Sequence, residues 1–269
     1  MCLLKLTIAL CAPFIGFQIM SVFRDGRQKR TGAIQTVSLS FFRFAPGAAR
    51  LWAFAMMGLA RPAMRRIEGI GFWKLLGSGT GEGFTPVPNT GVYAILATWP
   101  DLETARARTE SASIFRRYAA RSVENWQVFL APVSVRGRWS GETPFGADRG
   151  TGQDGPLAAL TRATIRPRAA VRFWQRVPDI STVIGSDPNV AFKIGVGEVP
   201  LFHQVTFSIW PDAASMAAFA RADGPHARAV RAVRDGDWFS EELYARFRVL
   251  GDRGSWHGTS PLRRLEGQT

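Results

Sequence analysis

The chain is poor in the residues that usually announce a function. Of its 269 residues only two are cysteines, Cys2 and Cys11, both in the first dozen positions. A disulfide scaffold, a thiolate-bound iron–sulfur cluster and a cysteine zinc site are therefore excluded from the body of the chain. There are three histidines, and no second histidine stands at the spacing of an H-E-x-x-H zinc site. No G-x-S-x-G elbow is present. Only one apolar run approaches the ~20 residues of a membrane span, which excludes a polytopic membrane protein. Negative charge is also scarce, and the 34 basic against 21 acidic residues leave a net charge of +13. Lysine contributes little to it: Lys5, Lys29, Lys74 and Lys193 are the only four. The arginines are spread along the chain with no block longer than Arg24–Arg30, and no zinc-finger or RNP pattern accompanies them. That distribution speaks against nucleic acid and leaves an acidic protein or an anionic lipid surface as the partner of a basic face.

The apolar run is Leu6–Phe23, followed by Arg24, Arg27, Lys29 and Arg30. A cluster that follows the run, with no A-x-A site before it, fits a secretory signal poorly. Three readings of residues 1–33 stand: a membrane anchor with its basic end in the cytoplasm, an interfacial helix, or a stretch ahead of the true start.

The body repeats itself. Trp99-Pro100-Asp101 and Trp210-Pro211-Asp212, 111 residues apart, each end an alternating run. Trp73-Lys74 matches Phe192-Lys193, the segment ending at Trp139 matches that ending at Trp256, and Arg50-Leu51-Trp52 matches Arg172-Phe173-Trp174, all in the same order. Each copy reads βαββαβ, the ferredoxin-like unit. The expected fold is α+β, with two such repeats pairing their sheets into an α+β barrel of the dimeric α/β-barrel type. The expected division is 1–33 as an extension, 34–136 and 157–256 as the repeats, the Gly-rich 137–156 as a linker, and 257–269 as a tail. The glycine run Gly77–Gly83 lacks the Gly-Lys-Ser/Thr end of a phosphate loop and reads as a flexible connection. Glu241-Glu242 reads as a solvated helix face.

Among the histidines, His257 sits in a polar tail and reads as exposed. His203 shares a strand face with Val205, Phe207 and Ile209. His226 follows Asp223-Gly224-Pro225, a helix start, and forms an apolar stripe with Ala229, Val230 and Val233. A helix N-terminus disfavours imidazolium, and neutral imidazole is the form that binds a metal. The repeat offset sets Phe115 opposite His226, so one copy carries an apolar residue where the other carries a ligand-capable one. A packed core histidine and an iron ligand are both compatible with that spacing. Nine Trp and nineteen Phe allow either an ordinary core or a long apolar cavity. Trp52, Trp73, Phe84, Trp174 and Phe207, with Phe54, are the aromatic candidates for a pocket.

The stretches SLSFFRF (38–44), RLWAF (50–54), GFWKLLGSGTGEGFTPVPNTGVYAIL (71–96), VTFSIWPD (205–212) and the region 224–256 resemble the spheroidene monooxygenase family, the acyclic carotenoid 2-ketolases. The resemblance runs from about Ile34 to Pro261. It implies an oxidoreductase of carotenoid biosynthesis in photosynthetic bacteria, which oxidises C-2 of spheroidene to the ketone spheroidenone. It further implies haem b, with O2 and reduced ferredoxin as co-substrates, and a place on the cytoplasmic side of the inner membrane. Haem proteins on related barrels take the iron ligand from a helix of the C-terminal half, which points to His226, with His203 as the fallback. Arg43, Lys74, Arg166 and Lys193 are the candidates for a haem propionate or for bound oxygen.

Overall fold

A computed structural model describes residues 34–147, 155–175, 189–221 and 237–266. The extension 1–33, residues 148–154 of the expected linker and the helix expected at 225–234, with His226, lie outside the described residues.

The first repeat opens with β1 (Thr36–Arg43), whose Val37, Leu39 and Phe41 turn into a barrel interior. Helix α1 (Ala48–Leu59) leaves Gly47 at φ 91°, a conformation natural to glycine, and passes into the short α2 (Arg61–Arg65), which has Pro62 in its first turn. Strands β2 (Trp73–Gly79) and β3 (Pro88–Trp99) follow. Asp101 caps α3 (Leu102–Ser111) by accepting from the Thr104 N–H at 2.7 Å, and extended backbone at Ala112 separates it from α4 (Ser113–Arg121). Strand β4 (Glu124–Gly137) ends the repeat. The second repeat comprises β5 (Leu157–Ile165), a helical stretch at 167–175, β6 (Phe192–Gly197), β7 (His203–Trp210), α5 (Ala213–Arg221) and β8 (Phe239–Gly254). A short helix, α6 (Arg263–Glu266), comes last.

The strands close into an antiparallel barrel in the order β1-β3-β2-β6-β7-β5-β8-β4. Each half has the order 4-1-3-2 of a ferredoxin-like sheet, so the fold is the expected pair of repeats. The seams differ. Strands β4 and β8 pair along their length, whereas β2 and β6 share only Gly77↔Gly197 and Ser78↔Val196. The glycine run explains the second seam. Gly195 N–H donates to Glu82 O at 2.7 Å, Ser78 Oγ donates to Gly195 O at 2.8 Å, and a Cβ on Gly83 (φ 89°) would stand 1.7 Å from Gly195 O. The run read as a flexible connection is thus a place of close backbone approach.

The register corrects one anchor of the repeat. With Trp99 matched to Trp210, Trp73 falls opposite Lys193 and Phe72 opposite Phe192. Lys74 therefore faces the barrel interior while Lys193 faces out, because a one-residue slip exchanges the faces of a strand.

Two large cores result. The interior holds Phe41, Trp126, Phe192 and Phe207, with the Trp126 and Phe192 rings 4.6 Å apart. Outside the first sheet, the helices bury Phe42, Tyr93, Ile95, Phe115 and Tyr118. The start of the expected linker belongs to the interior core, since Trp139 and Phe145 are buried there. Phe54 is 68% exposed and belongs to no core. Glu241-Glu242 lies on β8 and not on a helix.

Candidate functional site

Each repeat ends in the same device. After β4, Gly137 (φ 97°) turns the chain and Trp139 bridges to Glu142; after β8, Gly254 (φ 91°) turns it and Trp256 bridges to Thr259. At both glycines a Cβ would lie within 2.3 Å of a carbonyl of the neighbouring strand, so the turn requires the bare backbone. The residue after each tryptophan, Ser140 (φ 54°) or His257 (φ 58°), is left-handed. A glutamate from the neighbouring strand accepts the loop's N–H groups: Glu241 those of Ser140 and Gly141, Glu124 that of Gly258. Partial burial raises the pKa of both carboxylates, but these donors and the adjacent Arg162 or Arg43 outweigh it and hold both below the usual range. The barrel thus carries one tryptophan cap over each end of its interior.

The Trp139 end is filled with charge. Lys74 Nζ stands 2.8 Å from Glu198 and donates to Ser140 Oγ at 2.7 Å. The Trp139 indole donates to Glu198 at 2.8 Å. Arg162, 1% exposed, pairs closely with Glu241 and lies 3.7 Å from Glu198. His203 Nδ1 is 3.6 Å from Glu198, long for a hydrogen bond. Burial raises the Glu198 pKa; His203, Lys74 and Trp139 more than offset it and bring it down to about 2. A carboxylate depressed in the folded state stabilises above its unfolded pKa and loses that stabilisation as pH falls through the folded one. Glu198 is therefore expected to contribute on the order of 3 kcal/mol at neutral pH, lost between about pH 4.5 and 2. Acid unfolding curves check this: Glu198→Gln should flatten the pH dependence in that window, and an unchanged slope would refute it.

The Trp256 end is hollow. By the register, Lys74, Glu198, His203 and Arg162 correspond there to Ile194, Ser78, Val92 and Phe41. Three of these line a cleft of about 430 Å³, and the Phe41 ring lies 5.9 Å from that of Trp256. Arg43 stacks 4.4 Å over Trp256, pairs with Glu124 at 3.1 Å and contacts His257 Nε2 at 3.2 Å. Arg50, Lys193 and Arg264 also border the cleft.

The outward faces of the two sheets have diverged as well. Phe42, Tyr93, Ile95 and Phe129 of the first correspond to Ala163, Gln204, Thr206 and Arg246 of the second. Apolar clusters around Trp210 and around Trp238 flank this second face. Between them the described side chains of the sheet are small or polar.

The sequence candidates therefore do not converge on one cavity. Arg43 and Lys193 border the cleft, Lys193 also pairing with Glu82 at 3.1 Å. Lys74 and His203 belong to the opposite end, and Arg166 pairs with Asp237 at 3.3 Å. Trp52 packs on Tyr118 with ring centroids 5.1 Å apart, and Trp73 joins the same helix-covered core. Phe84 is buried beneath Lys193, Phe207 is in the interior, and the Trp174 indole donates to Leu201 O at 3.0 Å. His257 is exposed, as read, and also borders the cleft; its match to Ser140 through the two tryptophans was the available signal for that place. Arg162 and Glu198 carried no local signal, and Arg50 was read only as part of a repeat anchor. Among the described residues no group of three His, Cys, Asp or Glu could hold a metal ion, and no helix is long and apolar enough to cross a membrane.

No family model matches the chain. Among curated proteins it is 50% identical over 227 residues to the spheroidene monooxygenase of Rhodobacter capsulatus, covering 84% of this chain and 94% of that one. It is 50% identical over 230 residues to that of Cereibacter sphaeroides, covering 85% and 71%. Among solved structures, an aldoxime dehydratase superposes with a TM-score of 0.57 at 11% identity, covering 86% of this chain and 88% of that one, a likeness of fold alone.

Proposed function

The chain belongs to the spheroidene monooxygenase family, and on that premise we propose that it oxidises C-2 of spheroidene-type acyclic carotenoids to the 2-keto product, using O2 and reduced ferredoxin with haem b as cofactor. The observation that carries the proposal is the 50% identity along 94% of the R. capsulatus relative.

We assign the cofactor to the outward face of the second sheet, where Ala163, Gln204, Thr206 and Arg246 stand at the positions of Phe42, Tyr93, Ile95 and Phe129 in the first. His226, on the segment that follows α5 in the sequence, would supply the nitrogen that binds the iron. His203 is the weaker choice, because Glu198 ties it to the ion cluster. Each of the four candidate cations already has a carboxylate partner: Lys74 has Glu198, Arg166 has Asp237, Lys193 has Glu82 and Arg43 has Glu124. Haem, when bound, supplies the activation of dioxygen; the protein supplies the ligand, a water-poor pocket and the orientation of the chain end. Two hydroxylations at one carbon give a geminal diol, and loss of water from it gives the ketone. The basic surface, at a net +13, suits an acidic ferredoxin and an anionic membrane in which the carotenoid dissolves, which favours the cytoplasmic side of the inner membrane.

Incubation of the purified chain with spheroidene, reduced ferredoxin and air tests the activity. The expected product is the C-2 ketone, preceded by the 2-hydroxy compound. Spheroidene bound but unchanged, with no oxygen consumed, would make the chain a carrier.

A further inference from the structure

We propose that the hollow Trp256 end of the barrel binds an anion with an apolar tail, a long-chain carboxylate, at a site separate from the outward face assigned to the oxidation. The argument starts from the duplication. One ancestral end gave two, and the Trp139 end shows how such an end is sealed: Lys74, Glu198, His203 and Arg162 fill it. At the Trp256 end the matching positions hold Ile194, Ser78, Val92 and Phe41, too short or too apolar to fill it with charge. The cap itself is retained, with Trp256, the left-handed His257 and Glu124 in place. What differs is the plug, and its place is taken by a cleft of about 430 Å³, inside the range of about 300–1,000 Å³ usual for small-molecule sites.

The lining has two parts. Val92, Phe192 and Ile194 belong to the apolar interior and offer a wall to a hydrocarbon tail. Around them stand four cations and one carboxylate, Glu82. Glu124 already pairs with Arg43, and Glu82 with Lys193. Arg50 is held differently. Its Nε donates to Phe44 O at 3.3 Å, and its guanidinium lies on the backbone of Gly91, where a Cβ would stand 3.1 Å from Cζ. Among the described residues no carboxylate pairs with Arg50 or with Arg264. A positioned guanidinium above an apolar hollow is suited to bind a carboxylate head through paired N–H···O bonds while the tail goes inward.

Calorimetric titration with dodecanoate, dodecanol and acetate tests this. Dodecanoate should bind once per chain, and dodecanol and acetate each at least about tenfold more weakly. Transplanting the plug, Ser78→Glu with Ile194→Lys, should abolish the binding. Arg50→Gln, at a less buried position, should bring dodecanoate down to the affinity of dodecanol, and it decides the matter if the double variant does not fold. Dodecanoate binding that survives both changes, equal binding of dodecanol, or no binding to the unaltered chain would overturn the proposal. Haem content, read from the visible spectrum of the same samples, is independent of these outcomes.

Discussion

His226→Ala is expected to remove the haem absorption band and to lower ketone formation by more than about a hundredfold, the upper range for loss of a mere outer-shell partner of a metal ligand. The expectation rests on a stripe. In the sequence, His226, Ala229, Val230 and Val233 stand at i, i+3, i+4 and i+7, the spacing expected of one face of a helix, with arginines at 228, 231 and 234 between them. An imidazole that faces an apolar space near a helix N-terminus stays neutral and can bind iron through a ring nitrogen. The fold should survive, since the barrel is closed by strands that do not include this segment. Added free imidazole should restore part of the band in the variant, which a merely structural role would not allow. An unchanged band in His226→Ala would move the ligand role to His203.

Arg162→Met is expected to destabilise the protein by about 3–5 kcal/mol, the usual cost of removing one partner of a buried ion cluster. The cost comes from the carboxylates left behind. Glu241 loses its closest cation and Glu198 loses one of two, beside the buried Trp139. Thermal melting should fall by on the order of 10 °C in a chain of this size. Adding Glu241→Gln to Arg162→Met should return part of the loss, because a neutral amide leaves no unpaired charge. A variant that melts within a degree or two of the parent would show that the cluster does not hold this end together.

Both predictions turn on features that differed in how far they could be read from the chain. The repeat was readable because Trp-Pro-Asp, the strand before it and the helix after it recur in order, and local patterning of that kind survives duplication. The side of a strand is a finer matter: matching Lys74 with Lys193 instead of Ile194 was a slip of one residue, enough to exchange the interior for the exterior. Arg162 was invisible because nothing near it in the chain is acidic; its partners are Glu198, in the turn after β6, and Glu241, on β8. Trp139 and Phe145 were hidden by the glycines and polar residues around them, which set the composition of the segment while the two rings set its packing. His257 looked like a tail residue because its surroundings are polar, and only the cap it shares with Ser140 gives it a place at the cleft.

The central claim is that the chain oxidises a carotenoid with dioxygen. The most direct measurement is the mass of the product formed from spheroidene, reduced ferredoxin and isotopically labelled dioxygen, quenched before the ketone exchanges with water. The account predicts a C-2 oxygen that carries the label, both in the ketone and in the 2-hydroxy compound that precedes it. An unlabelled oxygen at C-2, or a product formed equally well without dioxygen, would contradict it.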